Sequence, residues 1–318
     1  MSGPARRTSA RAGSGVKAAK LGTGGGGSGE DEAVAYDYDR PVPKINARII
    51  GWGLRRVREI LELDYEEAVA GFGRNAQWLA AVETGFADIT PSEVGALLAN
   101  YGAVPERIRS VLTSLAARPD GPLWLGPHLD RLSGMLRDIL TVEAEADVVR
   151  AFGLRAVPDL ARTENYARVI YEHRLLPQDH PEGDWPLLAA RQRHRPGGNP
   201  RTLDLIIDHH VVAVFPDGHE DVWREQVEHL LTLSRTGHSV RVVPRSVGFY
   251  LGFEGPFEIY EVSAFNDRLS VIHWPDGLGM SPANLVPQWR GIEKVALSPA
   301  DSALFLNDAL HGRDLDRY

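Results

Sequence analysis

Residues 64–85 read Asp64-Tyr-Glu-Glu-Ala-Val-Ala-Gly-Phe-Gly-Arg-Asn-Ala-Gln-Trp-Leu-Ala-Ala-Val-Glu-Thr-Gly85, and this stretch decides the fold of the N-terminal part. Asp64 offers an N-cap oxygen, and Glu67 three positions on completes a capping box. A short helix follows with Ala68, Val69 and Phe72 facing inward, and Gly73 supplies the left-handed turn that ends it. Asn75 is the next N-cap. A further helix runs through Leu79 and Val82 to about Thr84, where Gly85 stops it. Two short capped helices joined by a glycine turn form a helix-turn-helix, with Ala68, Phe72, Leu79 and Val82 as the packed set that fixes their angle.

Upstream, Ile50, Leu54, Val57 and Leu61 recur at helical spacing and predict a first helix from Ile45 to about Glu62. Downstream, Thr90-Pro91-Ser92-Glu93 is a strong helix start: a cap, a proline at the first helical position and a glutamate at the third. That helix runs through Leu97, Leu98 and Tyr101 to Gly102. A fifth begins at Pro105 and carries Ile108, Val111, Leu112 and Leu115. The expectation for residues 44–118 is therefore one all-α, five-helix domain. Residues 1–43, rich in Gly, Ser, Ala and Arg, read as a disordered tail. Its Gly24–Gly27 run is not a phosphate-binding loop, because no Gly-Lys-Ser/Thr follows.

Arg118-Pro119-Asp120-Gly121-Pro122 marks a boundary. Beyond it the pattern predicts a long helical stretch over 129–152 and helices over 164–173, 184–194, 219–235, 284–293 and 299–310. Strands are predicted over 203–207, 211–215, 239–243, 257–263 and 269–274, rich in Val, Ile and Phe. The fold class is thus multidomain, with an α+β domain over 119–318.

The chain contains no cysteine, which excludes disulfides, thiolate metal sites and cysteine nucleophiles. No apolar run is long enough to span a membrane and no apolar segment follows the basic N-terminus, so a cytoplasmic protein is expected. Net charge is −8, but it is unevenly spread. Residues 44–118 carry nine basic and nine acidic side chains, whereas 119–318 carry 20 basic and 29 acidic ones. The acidity lies in the C-terminal part, and the helical part is neutral, which is unfavourable for strong phosphate binding.

A helix-turn-helix reads a major groove when the N-terminal turn of its second helix projects short side chains toward base edges. The positions left outward are Arg74, Asn75, Gln77, Ala80 and Ala81, and Ala76 opens the same helical turn. Asn and Gln can both donate to and accept from adenine, alanine can touch a thymine methyl, and Tyr65 with the helix N-termini can hold phosphates. These seven residues are the candidate DNA-binding set, and double-stranded DNA is the expected partner. Small helical domains of this pattern also serve as packing modules. The alternative is accordingly an interaction protein with little DNA affinity.

On these residues, the stretch 46–117 resembles the lambda-repressor-type (Xre-type) helix-turn-helix family. The Asp64-x-Glu-Glu opening, the Gly73 turn, the Trp78-Leu79 pair and the Val82-Glu83-x-Gly85 ending carry the resemblance. Further landmarks are Val157-Pro158, Thr163-Glu-Asn-Tyr-Ala-Arg168, Arg191-Gln192, Gln226, Val240-x-Val-Val-Pro244, Gly255-Pro-Phe257 and Ala296-Leu-Ser-Pro-Ala-Asp-Ser302. Together they resemble the C-terminal domain of actinobacterial WhiJ-like regulators. The resemblance implies a transcriptional regulator, sometimes antitoxin-like, that binds DNA as a homodimer and acts with a small neighbour-encoded partner protein. Departures fall at Tyr65, Arg74, Ala80, Ala81, Asp159 and Ala161.

Other signals are weaker. Asp208-His209-His210 resembles the Asp-His-His motif of phosphoesterases, but the further aspartates that chemistry needs are absent, and a turn between strands is expected. Gly248-Phe-Tyr-Leu-Gly252-Phe-Glu-Gly255 lacks the strand-then-helix context of a dinucleotide fingerprint and reads as a turn-rich connection. No catalytic motif, metal site or cofactor is expected, and the chain is read as a non-enzyme.

Overall fold

The computed structural model describes residues 43–119, 121–172, 185–194, 200–214, 217–262, 267–274, 277–281 and 283–318. The tail expected over residues 1–43 lies outside these, apart from Pro43. The chain divides into two units, residues 1–41 and 42–318, and all the described residues belong to the second.

Five helices open it: α1 (Ile45–Ile60), α2 (Tyr65–Val69), α3 (Ala76–Glu83), α4 (Pro91–Tyr101) and α5 (Glu106–Ala116). α1 buries Ile50, Leu54 and Val57 along one face. It ends at Ile60, two residues short of the expected Glu62, because Glu62 takes a left-handed φ of 56° that swings the chain toward the next cap. Both bonds of the Asp64–Glu67 capping box form, at 2.8 and 2.9 Å. The Thr90–Glu93 box forms likewise. Gly71, Gly73 and Gly85 adopt positive φ, the conformation that the turns before and after α3 require. At Gly51 a Cβ would lie 2.2 Å from the Val82 carbonyl oxygen, so α1 and α3 cross at a distance only glycine permits.

A 3-10 segment (Leu123–Arg131) then leads to α6 (Gly134–Glu145) and strand β1 (Val148–Gly153). α7 (Glu164–Glu172), α8 (Trp185–Arg193), β2 (Thr202–Asp208), α9 (His210–Ala213), α10 (Glu220–Arg235) and β3 (Ser239–Val243) follow. Last come β4 (Phe257–Val262), β5 (Asp267–Trp274), β6 (Gly277–Ser281), α11 (Val286–Glu293) and α12 (Pro299–Leu310). The strands form one mixed sheet in the order β3-β2-β1-β4-β5-β6. β1, β2 and β3 are parallel, and β4, β5 and β6 add antiparallel to the other side of β1. An N-terminal helical region thus precedes a C-terminal α+β region.

Three sequence expectations fail here. The helix predicted over 129–152 breaks at Ala146, whose backbone is extended, and residues 148–153 become the central strand. Pairing on both sides, to Thr202–Ile207 and to Phe257–Glu261, outweighs local helix propensity. Of the strand predicted over 211–215, residues 211–213 belong instead to the short helix α9 and Phe215 lies outside the described residues, and Asp208 with the histidines closes β2 rather than forming a turn between strands. The Asp208 carboxylate accepts the His210 backbone N–H at 2.9 Å, and Val212 and Ala213 both bond back to the His209 carbonyl. Strand β6 is absent from the sequence expectation, because Gly277-Leu-Gly-Met-Ser281 lacks strand-forming side chains.

The sheet is covered on both faces. Val149, Ala151, Leu205, Ile207, Val240, Val242 and Tyr260 belong to a core continuous with that of the helical region. Their alternates Phe152, Ile206, Val243, Phe257 and Ile259 pack with Trp289 and Ile292 of α11. Arg107–Asp147 at 2.7 Å and Arg118–Glu145 at 2.8 Å tie the helical region to the end of the sheet where β1 begins.

Candidate nucleic-acid interface

The α2–α3 pair is held from behind by a buried ion pair. Arg58 of α1 donates to both carboxylate oxygens of Glu83, the last residue of α3, at 2.7 and 2.9 Å. A third bond, from Arg58 to the Leu63 carbonyl at 3.0 Å, reaches the segment before the Asp64 cap. Tyr65 closes the group: its ring lies 4.1 Å from the Arg58 guanidinium carbon, and its hydroxyl donates to Glu83 at 3.1 Å. Burial and the neighbouring Glu83 carboxylate raise the Tyr65 phenol above its usual range. The chain therefore fixes α1, α2 and α3 around one carboxylate.

This places the candidate residues in turn. Tyr65 is half-buried and its hydroxyl faces Glu83. Arg74 is exposed, but its guanidinium bonds Glu93 of α4 at 2.6 Å and lies 5.1 Å from the Trp78 ring centroid. Asn75 is exposed and its side-chain oxygen accepts the Trp78 N–H at 2.8 Å, so it caps α3. Gln77 is exposed, one residue into the first turn of α3, with no hydrogen bond among the described residues. Ala76, Ala80 and Ala81 are half-buried on the same helix. The carbonyls of Ala80 and Ala81 accept the Thr84 hydroxyl at 2.9 and 3.0 Å at the C-terminal end of the helix. Arg74, Asn75 and Gln77 are thus brought to one end of α3, whereas Tyr65 is turned into the Arg58–Glu83 group.

Sequence reasoning misses Arg58, the Phe72–Trp78 stack at 5.6 Å and the Arg74–Glu93 link. Arg74, and after it Thr90, lowers the Glu93 carboxyl to about 2, so the α3–α4 link is ionic throughout the neutral range. The pairing of Arg74 leaves fewer cations free for phosphates than the sequence implies.

A second constellation lies at the carboxyl ends of the parallel strands, the end of the sheet opposite the start of β1. Asp208, 2% exposed, terminates β2. Its carboxylate accepts the Tyr250 hydroxyl and lies 2.6 Å from His210 Nδ1 and 3.1 Å from His209 Nδ1. Burial together with the Asp208 carboxylate pushes the Tyr250 phenol well above its usual range. The 248–255 segment lies among two 3-10 turns, Arg245–Val247 and Leu251–Glu254, that seat Tyr250 while Phe249 and Phe253 stack in the open at 5.2 Å.

A third group underlies the sheet. Arg191 bonds Glu143 at 2.7 Å and Asp159 at 3.1 Å, and all three are buried. Nearby, Gln192 donates to the Asp159 and Arg162 carbonyls, and Gln226 links Thr163 to Ala161. The Ser302 hydroxyl accepts the Val242 N–H of edge strand β3 at 3.0 Å. These contacts satisfy buried backbone and charge, and they are architectural.

Fold and site together define a protein in which a capped helical region is joined to a six-stranded mixed-sheet region. Residues 136–308 match the family described as Domain of unknown function (DUF5753), and the chain belongs to that family. No curated protein and no solved structure matches it. No helix among the described residues is long and apolar enough to cross a membrane.

Proposed function

We propose that this protein is a sequence-specific DNA-binding transcriptional regulator of the lambda-repressor-like class, acting as a homodimer in the cytoplasm, whose C-terminal region senses a partner protein or ligand. One observation carries the reading: α2 and α3, both capped and joined through Gly71 and Gly73, present Arg74, Asn75 and Gln77 together at the exposed N-terminal end of α3. A helix end that is rigidly held and offers amide side chains suits base edges in a major groove. The Arg58–Glu83–Tyr65 group supports it by anchoring the C-terminal end of α3, and with it the whole short helix, against α1 and the start of α2.

The test is fluorescence anisotropy of the full chain on its own upstream DNA against scrambled DNA across a salt series. Tighter binding of the upstream fragment at physiological salt, weakened in Gln77→Ala, is the expected result. Equal binding that vanishes with salt would overturn the reading. Asn75→Ala is a poorer probe than Gln77→Ala, because it also removes a helix cap at a cost of about 1 kcal/mol.

The second reading, an antitoxin-like or scaffold interaction protein with little DNA affinity, is favoured by two observations. Arg74 is engaged by Glu93, and residues 44–118 have balanced charge. Co-purification with a small protein, without retention of DNA, is its signature.

A further inference from the structure

The carboxylate of Asp208 sits at the carboxyl end of β2 in nearly complete burial, and the ion pairs it makes among the described residues are to two imidazoles. A buried carboxylate without a firm positive partner is unfavourable. Its Oδ2 is covered by the Tyr250 hydroxyl and its Oδ1 faces His210 Nδ1 at 2.6 Å. His209 Nδ1 lies 3.1 Å from the same oxygen, yet it is buried and makes no hydrogen bond. The two imidazole rings stand 4.0 Å apart between centroids, and one ligating atom from each of the three residues falls within 4.8 Å of the others. Above them opens a cavity of about 320 Å³, walled by His209, His210, Val214, Phe305, Arg245 and Asp316.

The geometry points to a mononuclear site for a divalent cation of the zinc class, ligated by Asp208, His209 and His210 and open to this cavity. Two neutral imidazole nitrogens and one carboxylate oxygen form a borderline donor set, which selects zinc-like ions over calcium or magnesium with their all-oxygen preference. Tyr250 donates to the carboxylate oxygen that faces away from the histidines, the place where an outer group orients a ligating aspartate. The cation supplies the positive counter-charge that the Asp208 carboxylate lacks and a partner for His209 Nδ1. Three ligands leave a coordination position facing the cavity, so a small anionic or neutral donor can complete the shell. The strand-end location fits, because open sheets of parallel strands bind ligands at their carboxyl ends. The missing further aspartates exclude a two-metal phosphoesterase centre, whereas a single-ion site does not need them.

The site stands independently of DNA recognition, and its test uses no DNA. The full-length protein, freed of metal by chelation, is titrated with Zn²⁺ by calorimetry and with Co²⁺ by visible absorption. One equivalent should bind, and bound Co²⁺ should show the intense bands of a four- or five-coordinate ion. His210→Ala, whose side chain is 56% exposed and so removable without unfolding the chain, should weaken binding by about tenfold or more. His128→Ala, in the 3-10 segment of residues 123–131, should bind as the parent does. Absence of stoichiometric binding, or equal affinity in His210→Ala, would overturn the site. Asp208→Asn keeps an acceptor for Tyr250 while removing the charge and should abolish binding; if it fails to fold, His210→Ala alone decides.

Discussion

Arg58 and Glu83, from the first and third helices, meet in a two-pronged hydrogen-bonded pair whose carboxylate side is 1% exposed. The pair holds the helix that carries the candidate reading residues. Removing one partner leaves the other charged and buried. Glu83→Ala should therefore cost about 3–5 kcal/mol of stability. Urea unfolding followed by circular dichroism checks it, and a loss within experimental error would show that solvent reaches Arg58 freely. Replacing both partners with apolar residues of similar size should cost less than either single change.

Gly51 lies where α1 crosses α3. A methyl group there would meet the Val82 carbonyl oxygen at 2.2 Å and the Glu83 carbonyl at 2.8 Å, both backbone atoms that cannot rotate away. Ordinarily Gly→Ala within a helix stabilises. Here Gly51→Ala should destabilise by about 1–3 kcal/mol, because overpacking outweighs helix propensity. A raised melting temperature would contradict the crossing distance.

Glu93 gives the pH dependence. Arg74, then Thr90, depresses its folded pKa to about 2 from the ordinary 4.5. A carboxyl group depressed on folding contributes its stability above the unfolded pKa and loses it as pH falls through the folded one. The contribution is thus intact at neutral pH and disappears between roughly pH 4.5 and pH 2. Because Arg74 is half exposed, the effect is modest and screened by salt. Parent and Glu93→Gln should differ in stability at pH 7 and converge near pH 2, as followed by acid titration of helical signal. A constant difference across that window would show that the carboxylate charge is irrelevant.

Gln226 spans two backbone groups, accepting from Thr163 N at 2.8 Å and donating to the Ala161 carbonyl at 2.8 Å. Gln226→Leu strands both in a buried site and should cost about 1–3 kcal/mol. Gln226→Glu retains the acceptor and loses the donor. It should fall between them at low pH, where its protonated form can donate again. Stability unchanged in Gln226→Leu would mean that water replaces the amide.

The N-terminal helices are legible in the sequence because their information is local. Asp64 with Glu67, Thr90 with Glu93, and Asn75 before Trp78 each cap within four residues, and Gly85 ends α3 by its own φ. The exposed Gln77 and Asn75 follow from the same periodicity. The Arg58–Glu83 pair does not, since its members are 25 residues apart and nothing local to either names the other. β1 is hidden for a related reason. Ala144-Glu145-Ala146 reads as helix, and Val148–Gly153 is a strand only because residues 202–207 and 257–261 flank it. α9 reverses the expectation of its β-branched pair Val211-Val212, because the Asp208 side chain and the His209 carbonyl start a helical turn there. The landmarks Gln192, Gln226 and Ser302 stand out as residues, while their task of satisfying buried backbone emerges only when distant segments meet.

The central position of β1 has a consequence for how the chain is made. Its partners begin at residue 202 on one side and end near residue 261 on the other. As the chain is synthesised, both edges of β1 stay unpaired after the helical region behind it, built from neighbours in sequence, has already been made. The order of synthesis thus keeps the middle of the sheet open until residue 261 has been made, and through that interval the bare edges of β1 are the part of the chain best able to pair with a neighbour.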